Sequence, residues 1–178
     1  AYKAGCRGML IGFESLNPES LKDFHKGVNR KNAQRYRDLI EGFHRAGISV
    51  FGAFIIGADQ DTVDTVSQTA LESVRLGVDT IQITNLTPLP ATKLFDRLLA
   101  EGRIEATNFP EDWRRYTFIE TVFRPARMTA RQLDEAMFQL RCAAASSRWV
   151  WKRTLRTLWT TRSLTTALFV HGMNKGWK

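Results

Sequence analysis

Three short apolar runs of the sequence end in side chains that could bind a ligand. In Ile11–Ser15 the run ends in the carboxylate Glu14 and the hydroxyl Ser15, and Gly12 would let a ligand approach the backbone. If the run is a strand of a parallel sheet, these side chains stand at its carboxyl end, where such sheets bind ligands. Taken alone, the segment favours the plainer interpretation, in which Glu14 is a surface acid and Ser15 forms a turn.

The second run, Gly52–Ile56, leads through Gly57 into two acids, Asp59 and Asp61. Gly57 would leave room for a flat ring against backbone atoms. A helix cap accounts for Asp61. Asp59 precedes the cap and has no such local explanation, so it is the less easily dismissed of the two acids.

The third run ends in Thr84 and Asn85, before a turn rich in proline. A separate candidate is the cationic segment Lys26–Arg30. The end of a helix accounts for Lys26. Arg30 lies beyond that end and could form a forked salt bridge with a carboxylate.

The elements that would position these side chains alternate along the chain. The apolar runs predict three strands buried on both faces, as in a parallel sheet. They are Met9–Phe13, Ser49–Ile56 and Thr80–Thr84. Apolar residues at helical spacing, with capping residues before them and glycines after them, predict four helices. These begin at Pro18, at Asn32, after Asp61 and at about Ala91, and are followed by Gly27, Gly47, Gly77 and Gly102.

Strands that alternate with helices pair in parallel through right-handed crossovers, so the expected fold class is α/β. Three strands cannot close a barrel and would leave an open edge, which predicts further strands before Ala1. A capping box at Thr129 and Gln132 predicts a later helix. The expected divisions are a partial (β/α) barrel, a loop-plus-helix extension and a basic helical tail, over residues 1–106, 107–147 and 148–178.

The net charge of the chain is concentrated at its C-terminal end. The 178 residues carry a formal net charge of +8 and are 43% apolar, which suits a globular protein. All 18 acidic residues lie at or before Glu135, whereas Ala136–Lys178 contains 8 basic residues and no acidic one. No apolar run approaches the roughly 20 residues of a membrane span, and the N-terminus lacks a signal-peptide layout, so we expect a cytoplasmic protein. Cys6 and Cys142 lack the spacing of a metal site.

In their order and spacing, four segments resemble the second half of the core of the radical S-adenosylmethionine (SAM) superfamily. They read IGFES, KGVNR, FIIGADQDT and QITNLTPLPATKLFDRLLAEGRI. The similarity is greatest to the branch that carries an N-terminal cobalamin-binding domain, and it covers about residues 5–140. The later stretch Trp113–Thr129 resembles the extension that follows such cores.

The resemblance implies SAM-binding residues on all three strands and in the loops, namely Gly12, Glu14, Ser15, Arg30, Ile55, Gly57, Thr84 and Asn85. Glu14 would contact the amino-acid end of SAM, and Arg30 would pair with its carboxylate. Ile55 and Gly57 would pack on the adenine. The two residues that close the third strand would contact the nucleoside.

The sequence departs from the family pattern at three places. Ala53 stands where some members place a ribose-binding acid, so ribose contacts would come from elsewhere, and Ser15 is a candidate. Pro90–Thr92 reads Pro-Ala-Thr where Pro-Gly-Thr is usual, so this turn is expected to differ. The CxxxCxxC loop that holds the [4Fe-4S] cluster is absent and would precede Ala1.

The protein implied by the resemblance is an enzyme that cleaves SAM reductively at a [4Fe-4S] cluster and so starts radical chemistry. Its expected partners are the missing N-terminal half of the core, a cobalamin-binding domain, and a lipid or other small-molecule substrate that is methylated or cyclised. Without cluster cysteines, this chain would bind SAM and shield the reaction but would not catalyse alone.

Two other classes of protein fit parts of the pattern. The first is a non-catalytic SAM- or nucleotide-binding remnant or partner subunit. The second is a phosphate-binding α/β barrel, which would need a glycine-rich loop at a helix N-terminus, and none is evident.

The tail carries two stripes of residues at helical spacing. The apolar stripe is Trp151, Leu155, Leu158 and Trp159, and the basic stripe is Arg148, Lys152 and Arg156. Such a helix can lie on an anionic membrane surface, dock on the missing domain, or form a cap over the catalytic body. Nucleic acid is the least favoured partner, because the chain has no recognised nucleic-acid-binding module.

Overall fold

A computed structural model describes residues 1–23 and 35–176, and it places three parallel strands in one sheet. The strands are β1 (Gly8–Glu14), β2 (Ser49–Ile56) and β3 (Thr80–Asn85), side by side in that order. The predicted α/β class is confirmed, and each strand lies within one residue of the predicted bounds. The cationic segment Lys26–Arg30, with the candidate Arg30, lies outside the described residues. The predicted start of the second helix at Asn32 also lies outside them.

Helices separate the strands and follow them. Their bounds are α1 Pro18–Asp23, α2 Tyr36–Arg45, α3 Val63–Leu76, α4 Lys93–Ala100, α5 Ala130–Ala144, α6 Ser147–Thr161 and α7 Leu164–Lys175. Short 3-10 turns cover Tyr2–Ala4 and Glu111–Arg115. The separate helix α7 was not predicted from the sequence.

Threonine side chains cap three of these helices, and Thr92 caps α4 by accepting from the N–H of Phe95. Thr62 and Thr65 form a capping box at the start of α3, and Thr129 and Gln132 form the predicted one at the start of α5. The prediction that Asp61 caps α3 is therefore wrong by one residue. Asp61 has another role, in the loop that follows β2.

The sheet has two faces, and helices cover only one of them. Side chains alternate between the faces along each strand, and paired residues of parallel strands share a face. On the covered face Phe13 stacks on Phe54 with ring centroids 5.5 Å apart, and α5 contributes Leu133 and Met137 to the same core. A Cβ on Gly52 would lie 2.8 Å from Val78, so glycine lets the α3–β3 connection pack closely here.

The opposite face is largely uncovered by the described residues, and we call it the open face. Strand register places on it, among others, Leu10, Gly12, Phe51, Ala53, Ile55, Gln82 and Thr84. Leu10 is 63% exposed. Near the amino ends of the strands, this face borders a cavity of about 800 Å³ whose other wall includes Phe169 of α7. The uncovered face agrees with the predicted partial barrel, whose interior would lie on this side.

Helices α6 and α7 form an antiparallel hairpin at the amino ends of the strands. They are joined by Arg162, which has a left-handed backbone, and Ser163. The hairpin is held at Asp79, just before β3, where Thr157 Oγ1 donates to Asp79 Oδ1 (2.5 Å) and Asn174 Nδ2 donates to the Asp79 carbonyl (2.9 Å). Within residues 1–23 and 35–176, none of the helices combines the length and apolar character needed to cross a membrane.

The turn that reads Pro-Ala-Thr places Ala91 in the left-handed region, with φ at 65°. A glycine adopts this conformation without the clash between Cβ and the carbonyl oxygen that an alanine has. We therefore expect Ala91→Gly to raise the free energy of unfolding by about 1 kcal/mol, as measured by urea denaturation. The matched control is Ala143→Gly on the exposed side of α5, which should lower it by about 1 kcal/mol. If glycine lowers the free energy of unfolding at both positions, the backbone of Ala91 is unstrained.

Candidate functional site

The carboxyl ends of the three strands meet at one edge of the sheet. Glu14 lies beside Phe54, and Ile56 lies beside Asn85. In parallel sheets this edge is the one that binds ligands. The shared rim that the sequence predicted is therefore present. The predicted side chains differ in whether they point onto it.

Glu14 closes β1 with its carboxylate folded back over the open face. A Cβ added to Gly12 would lie only 2.8 Å from Glu14 Oε1, so the carboxylate occupies space that the glycine leaves free. The backbone allows this because the strand has an irregularity between Gly12 and Glu14, and Glu14 has φ of 64°. Glutamate seldom adopts that conformation, and strained residues of this kind cluster at functional sites.

The charge of Glu14 reaches the buried ring of Tyr36. Burial, together with the neighbouring negative charge of Glu14, raises the pKa of the Tyr36 hydroxyl to about 12. Tyr36 also packs edge-on against Phe13, with ring centroids 4.8 Å apart. Tyr36 and Phe13 thus belong to the core on the covered face, next to the strand end that carries Glu14.

Ile55 and Thr84 are paired neighbours on the open face near the same rim. Ile55 is half-buried and packs against a small cluster formed by Leu86, Leu98 and Phe123. Thr84 Oγ1 lies 3.4 Å from the carbonyl oxygen of Phe54, a long contact that leaves the hydroxyl able to bond elsewhere. Of the predicted residues, the open face therefore brings together Gly12, Glu14, Ile55 and Thr84.

Ser15 is buried and forms a turn. Its Oγ accepts a hydrogen bond from the backbone N–H of Asn17 at 3.0 Å, which leads the chain from β1 into α1. This is the turn-forming role that the sequence offered as the plainer interpretation. The predicted contact with a ribose is not visible in this arrangement and stays a prediction.

Gly57 follows β2 with φ of 95°, and α5 packs against it. A Cβ on Gly57 would lie 2.6 Å from Leu133 Cδ2, so Leu133 fills the space on that side. The carboxylate of Asp61 fixes the loop, because Oδ2 accepts from the N–H groups of Gly57 (2.9 Å) and Ala58 (3.0 Å). Asp61 Oδ1 accepts from Ser20 Oγ at 2.7 Å, which ties the loop to α1. The glycine here serves close packing on the side of α5.

Asn85 faces away from the open face, which differs from the sequence prediction. Neighbours along a strand point to opposite faces, so Thr84 and Asn85 cannot both project onto the same surface. The Asn85 side chain is 1% exposed and its Nδ2 donates to Thr121 Oγ1 and to Asp134 Oδ1, each at 3.0 Å. These bonds hold α5 and the 117–121 loop against β3, so the side chain supports the rim from behind.

Asp59 belongs to an ion-pair network that the sequence did not reveal. Its carboxylate accepts from Arg97 at 2.8 Å and from Arg103 at 2.7 Å, and Arg103 also bonds Glu101 at 2.9 Å. Burial works in the opposite direction, but hydrogen bonds from Arg103 and Arg97 hold the pKa of Asp59 below its usual value. The Glu-Gly-Arg turn after α4 thus fastens the loop that follows β2 to α4. The ion pairs with Arg97 and Arg103 give Asp59 a structural role.

The described residues do not fit an iron–sulfur cluster. Across residues 1–23 and 35–176, no three His, Cys, Asp or Glu side chains come together in a way that could hold a metal ion. Cys6 is half-buried before β1, and Cys142 is exposed on α5. A cluster needs several thiolates at one site, so its ligands are not among these residues.

Comparison with known proteins relates the chain to methyltransferases. No protein-family model matches it. It is 32% identical over 140 residues to a bacteriochlorophyllide d C-12(1)-methyltransferase of Chlorobaculum tepidum, covering 79% of this chain and 29% of that protein. It is 29% identical to an uncharacterised methyltransferase of Pyrococcus horikoshii, over 76% of this chain and 28% of that protein. A hopanoid C-2 methylase of Rhodopseudomonas palustris is 33% identical over 54% of this chain and 18% of its own length.

These matches cover most of the chain but only a minor part of each relative. The chain spans 29% and 28% of the first two methyltransferases. The identities, near 30%, indicate distant common ancestry and do not fix a substrate. The chain is accordingly a distant homologue of these methyltransferases.

Proposed function

We propose that this chain is the SAM-binding second half of the catalytic barrel of a radical SAM methyltransferase. One observation carries the proposal: the strained Glu14 places its carboxylate over Gly12 on the open face, beside the rim where Ile55 and Thr84 lie. This one surface thus carries an acid, a small residue, an apolar residue and a hydroxyl, and each of them could contact a different part of SAM.

The residues of the open face suit SAM by their chemistry. Glu14 would bind the ammonium group at the amino-acid end, since opposite charges attract strongly at a partly desolvated site. Gly12 and Ala53 would leave space for the ribose, and Ile55 would pack on the adenine ring. Thr84 would hydrogen-bond the nucleoside. Bound SAM supplies a 5′-deoxyadenosyl radical when it is cleaved reductively at an iron–sulfur cluster.

The remaining parts of the enzyme would come from outside the described residues. The cluster ligands and the first half of the barrel would cover the open face and complete the site, and a cobalamin-binding domain is the expected further partner. The relatives named above methylate a bacteriochlorophyllide and a hopanoid. We therefore propose a lipid or another small apolar molecule as the acceptor of the methyl group.

The test is a Glu14→Gly variant of the protein in its full natural length, loaded with its cluster without oxygen. Wild type is expected to form 5′-deoxyadenosine from SAM under reduction. The variant should bind SAM about ten- to a hundred-fold more weakly, because a charge-assisted bond is lost. Its free energy of unfolding should stay unchanged or rise by about 1 kcal/mol, since glycine relieves the strain at φ of 64°. SAM affinity is measured by equilibrium dialysis.

Two controls separate the site from the fold. Ala91→Gly changes another residue of positive φ, away from the open face, and should leave SAM affinity unaltered. Glu19→Gln removes an exposed acid on α1 and should do the same. Unchanged affinity in Glu14→Gly would remove Glu14 from the site. A cluster-loaded wild type that binds SAM but never cleaves it would favour the non-catalytic binding subunit.

A further inference from the structure

Helix α6 buries its polar side and exposes its apolar side. Arg153 is 1% exposed and Thr157 is 0% exposed, whereas Trp151, Leu155 and Trp159 are 55%, 60% and 84% exposed. A helix that caps a globular body has the reverse arrangement, with its apolar stripe inward. Helix α6 therefore packs on the body of the protein mainly through polar side chains, and its apolar stripe faces outward.

Specific bonds hold α6 in this orientation. Thr157 donates to Asp79 at 2.5 Å, and Arg153 donates to the carbonyl oxygen of Ala144. Arg156, which belongs to the basic stripe, donates to the carbonyls of Val74 (3.1 Å) and Val78 (2.5 Å). Rotating the helix to bury its apolar stripe would break all of these bonds. The exposure of the apolar side follows from the fold.

Helix α7 extends the same surface. Leu164 and Leu168, one turn apart, are 63% and 60% exposed. The helices lie side by side, as shown by the Trp151 ring with its centroid 4.7 Å from that of His171. We call this surface the apolar hairpin surface, and its residues are Trp151, Leu155, Leu158, Trp159, Leu164 and Leu168. These six large apolar side chains lie on two adjacent helices. Their exposure to water is unfavourable in free energy, and such patches mark interaction surfaces.

The charges of the hairpin identify what would cover this surface. Residues 136–178 contain no acidic side chain. The exposed cations of the hairpin are Arg148, Lys152, Arg162 and Lys175. Exposed tryptophan and leucine bordered by lysine and arginine, with no acids, are characteristic of helices that lie in the interface of an anionic bilayer. The opposite charge of such lipids complements the hairpin.

We propose that the apolar hairpin surface binds the protein to anionic phospholipid membranes, with α6 and α7 lying in the plane of the interface. Trp151, Leu155 and Trp159 would enter the boundary between headgroups and acyl chains, while Arg148 and Lys152 would contact lipid phosphates. The surface lies at the amino ends of the strands, so this binding is separate from the proposed SAM site.

The test is co-sedimentation of the full-length protein with phosphatidylcholine vesicles, with and without phosphatidylglycerol. Binding is expected only with the anionic lipid, and it should weaken as salt screens the charges. Trp151→Ser combined with Trp159→Ser should reduce binding at least about ten-fold, because two large apolar groups no longer enter the interface. Arg148→Ser combined with Lys152→Ser should reduce it about five-fold for each charge removed.

The matched control is Trp113→Ser combined with Phe138→Ser, which removes two exposed aromatic side chains elsewhere, 50% and 70% exposed, and should leave binding unchanged. Circular dichroism confirms that all variants fold. Failure of the wild type to bind anionic vesicles overturns the proposal, as does equal binding by the tryptophan variant. A dimer in light scattering that the tryptophan substitutions dissociate would also overturn it, and would assign the surface to a second copy of the chain.

Discussion

Replacing Asp79 by alanine is expected to lower the free energy of unfolding by about 3–5 kcal/mol, because it leaves buried cations without a counter-charge. Asp79 is 0% exposed, and Oδ2 accepts from His44 Nε2 and from the Val50 N–H, each at 2.7 Å. Its other oxygen binds Thr157 of α6. One carboxylate thus connects α2, β2 and the C-terminal hairpin.

The two buried arginines of α6 make this loss larger than that of ordinary hydrogen bonds. Burial and the positive charge of Arg156 lower the pKa of Arg153, the charge of Asp79 opposes them, and together they leave this pKa at about 10. Among the described residues, Arg153 Nε and Nη1 have no hydrogen-bond partner. Asp79 is the carboxylate whose charge offsets the burial of both arginines, and its removal takes that charge away.

Urea denaturation of Asp79→Ala measures the effect, and two variants divide it. Asp79→Asn keeps part of the hydrogen bonding but not the charge, so it should fall between alanine and wild type. Thr157→Val removes one bond to the same carboxylate and should cost about 1 kcal/mol. If Asp79→Ala lowers the free energy of unfolding by less than Thr157→Val does, the buried arginines do not depend on Asp79.

The second large effect is expected from Asp61→Ala, which should lower the free energy of unfolding by about 2–4 kcal/mol. Asp61 is 5% exposed, and removing it leaves the N–H groups of Gly57 and Ala58 and the hydroxyl of Ser20 without their acceptor. Buried donors that lose their acceptor carry the full cost of desolvation. The loop that follows β2 would also loosen, so binding of SAM at the proposed site should weaken as well.

Asp61→Asn provides the control for this prediction. Its amide oxygen can accept from the two backbone N–H groups, and its amide N–H can donate to Ser20 once that hydroxyl turns. We expect asparagine to recover most of the stability that alanine loses, as measured by thermal and urea unfolding. If asparagine is as damaging as alanine, the negative charge of Asp61 is what the loop requires.

Local patterns in the sequence were sufficient for the strands and for most of the helices. The buried runs predicted all three strands within one residue, and the capping box at Thr129 predicted the start of α5. Gly77 ends α3 with φ of 107°, as its position indicated. These features depend on residues close together in sequence, so the sequence alone reveals them.

The candidate site was predicted less completely, because long-range contacts decide side-chain direction. Strand alternation would have separated Thr84 from Asn85, but only the register with β2 shows which one is on the open face. The role of Asp59 depends on Arg103, which is 44 residues further along the chain. The two stripes of α6 can be read from the sequence. Which side of the helix faces inward depends on the bond from Thr157 to Asp79, which lies 78 residues earlier in the chain.

The apolar hairpin surface and Glu14 lie at opposite ends of the sheet, which has a consequence for how a substrate would arrive. A protein resting on lipid through its C-terminal helices would hold the carboxyl ends of its strands, where the SAM site is proposed, toward the aqueous phase. An acceptor dissolved in the bilayer would then have to leave the lipid and pass around the body of the protein before it met the cofactor. Anchoring of this kind would concentrate the enzyme near its substrate without letting it draw that substrate directly from the membrane.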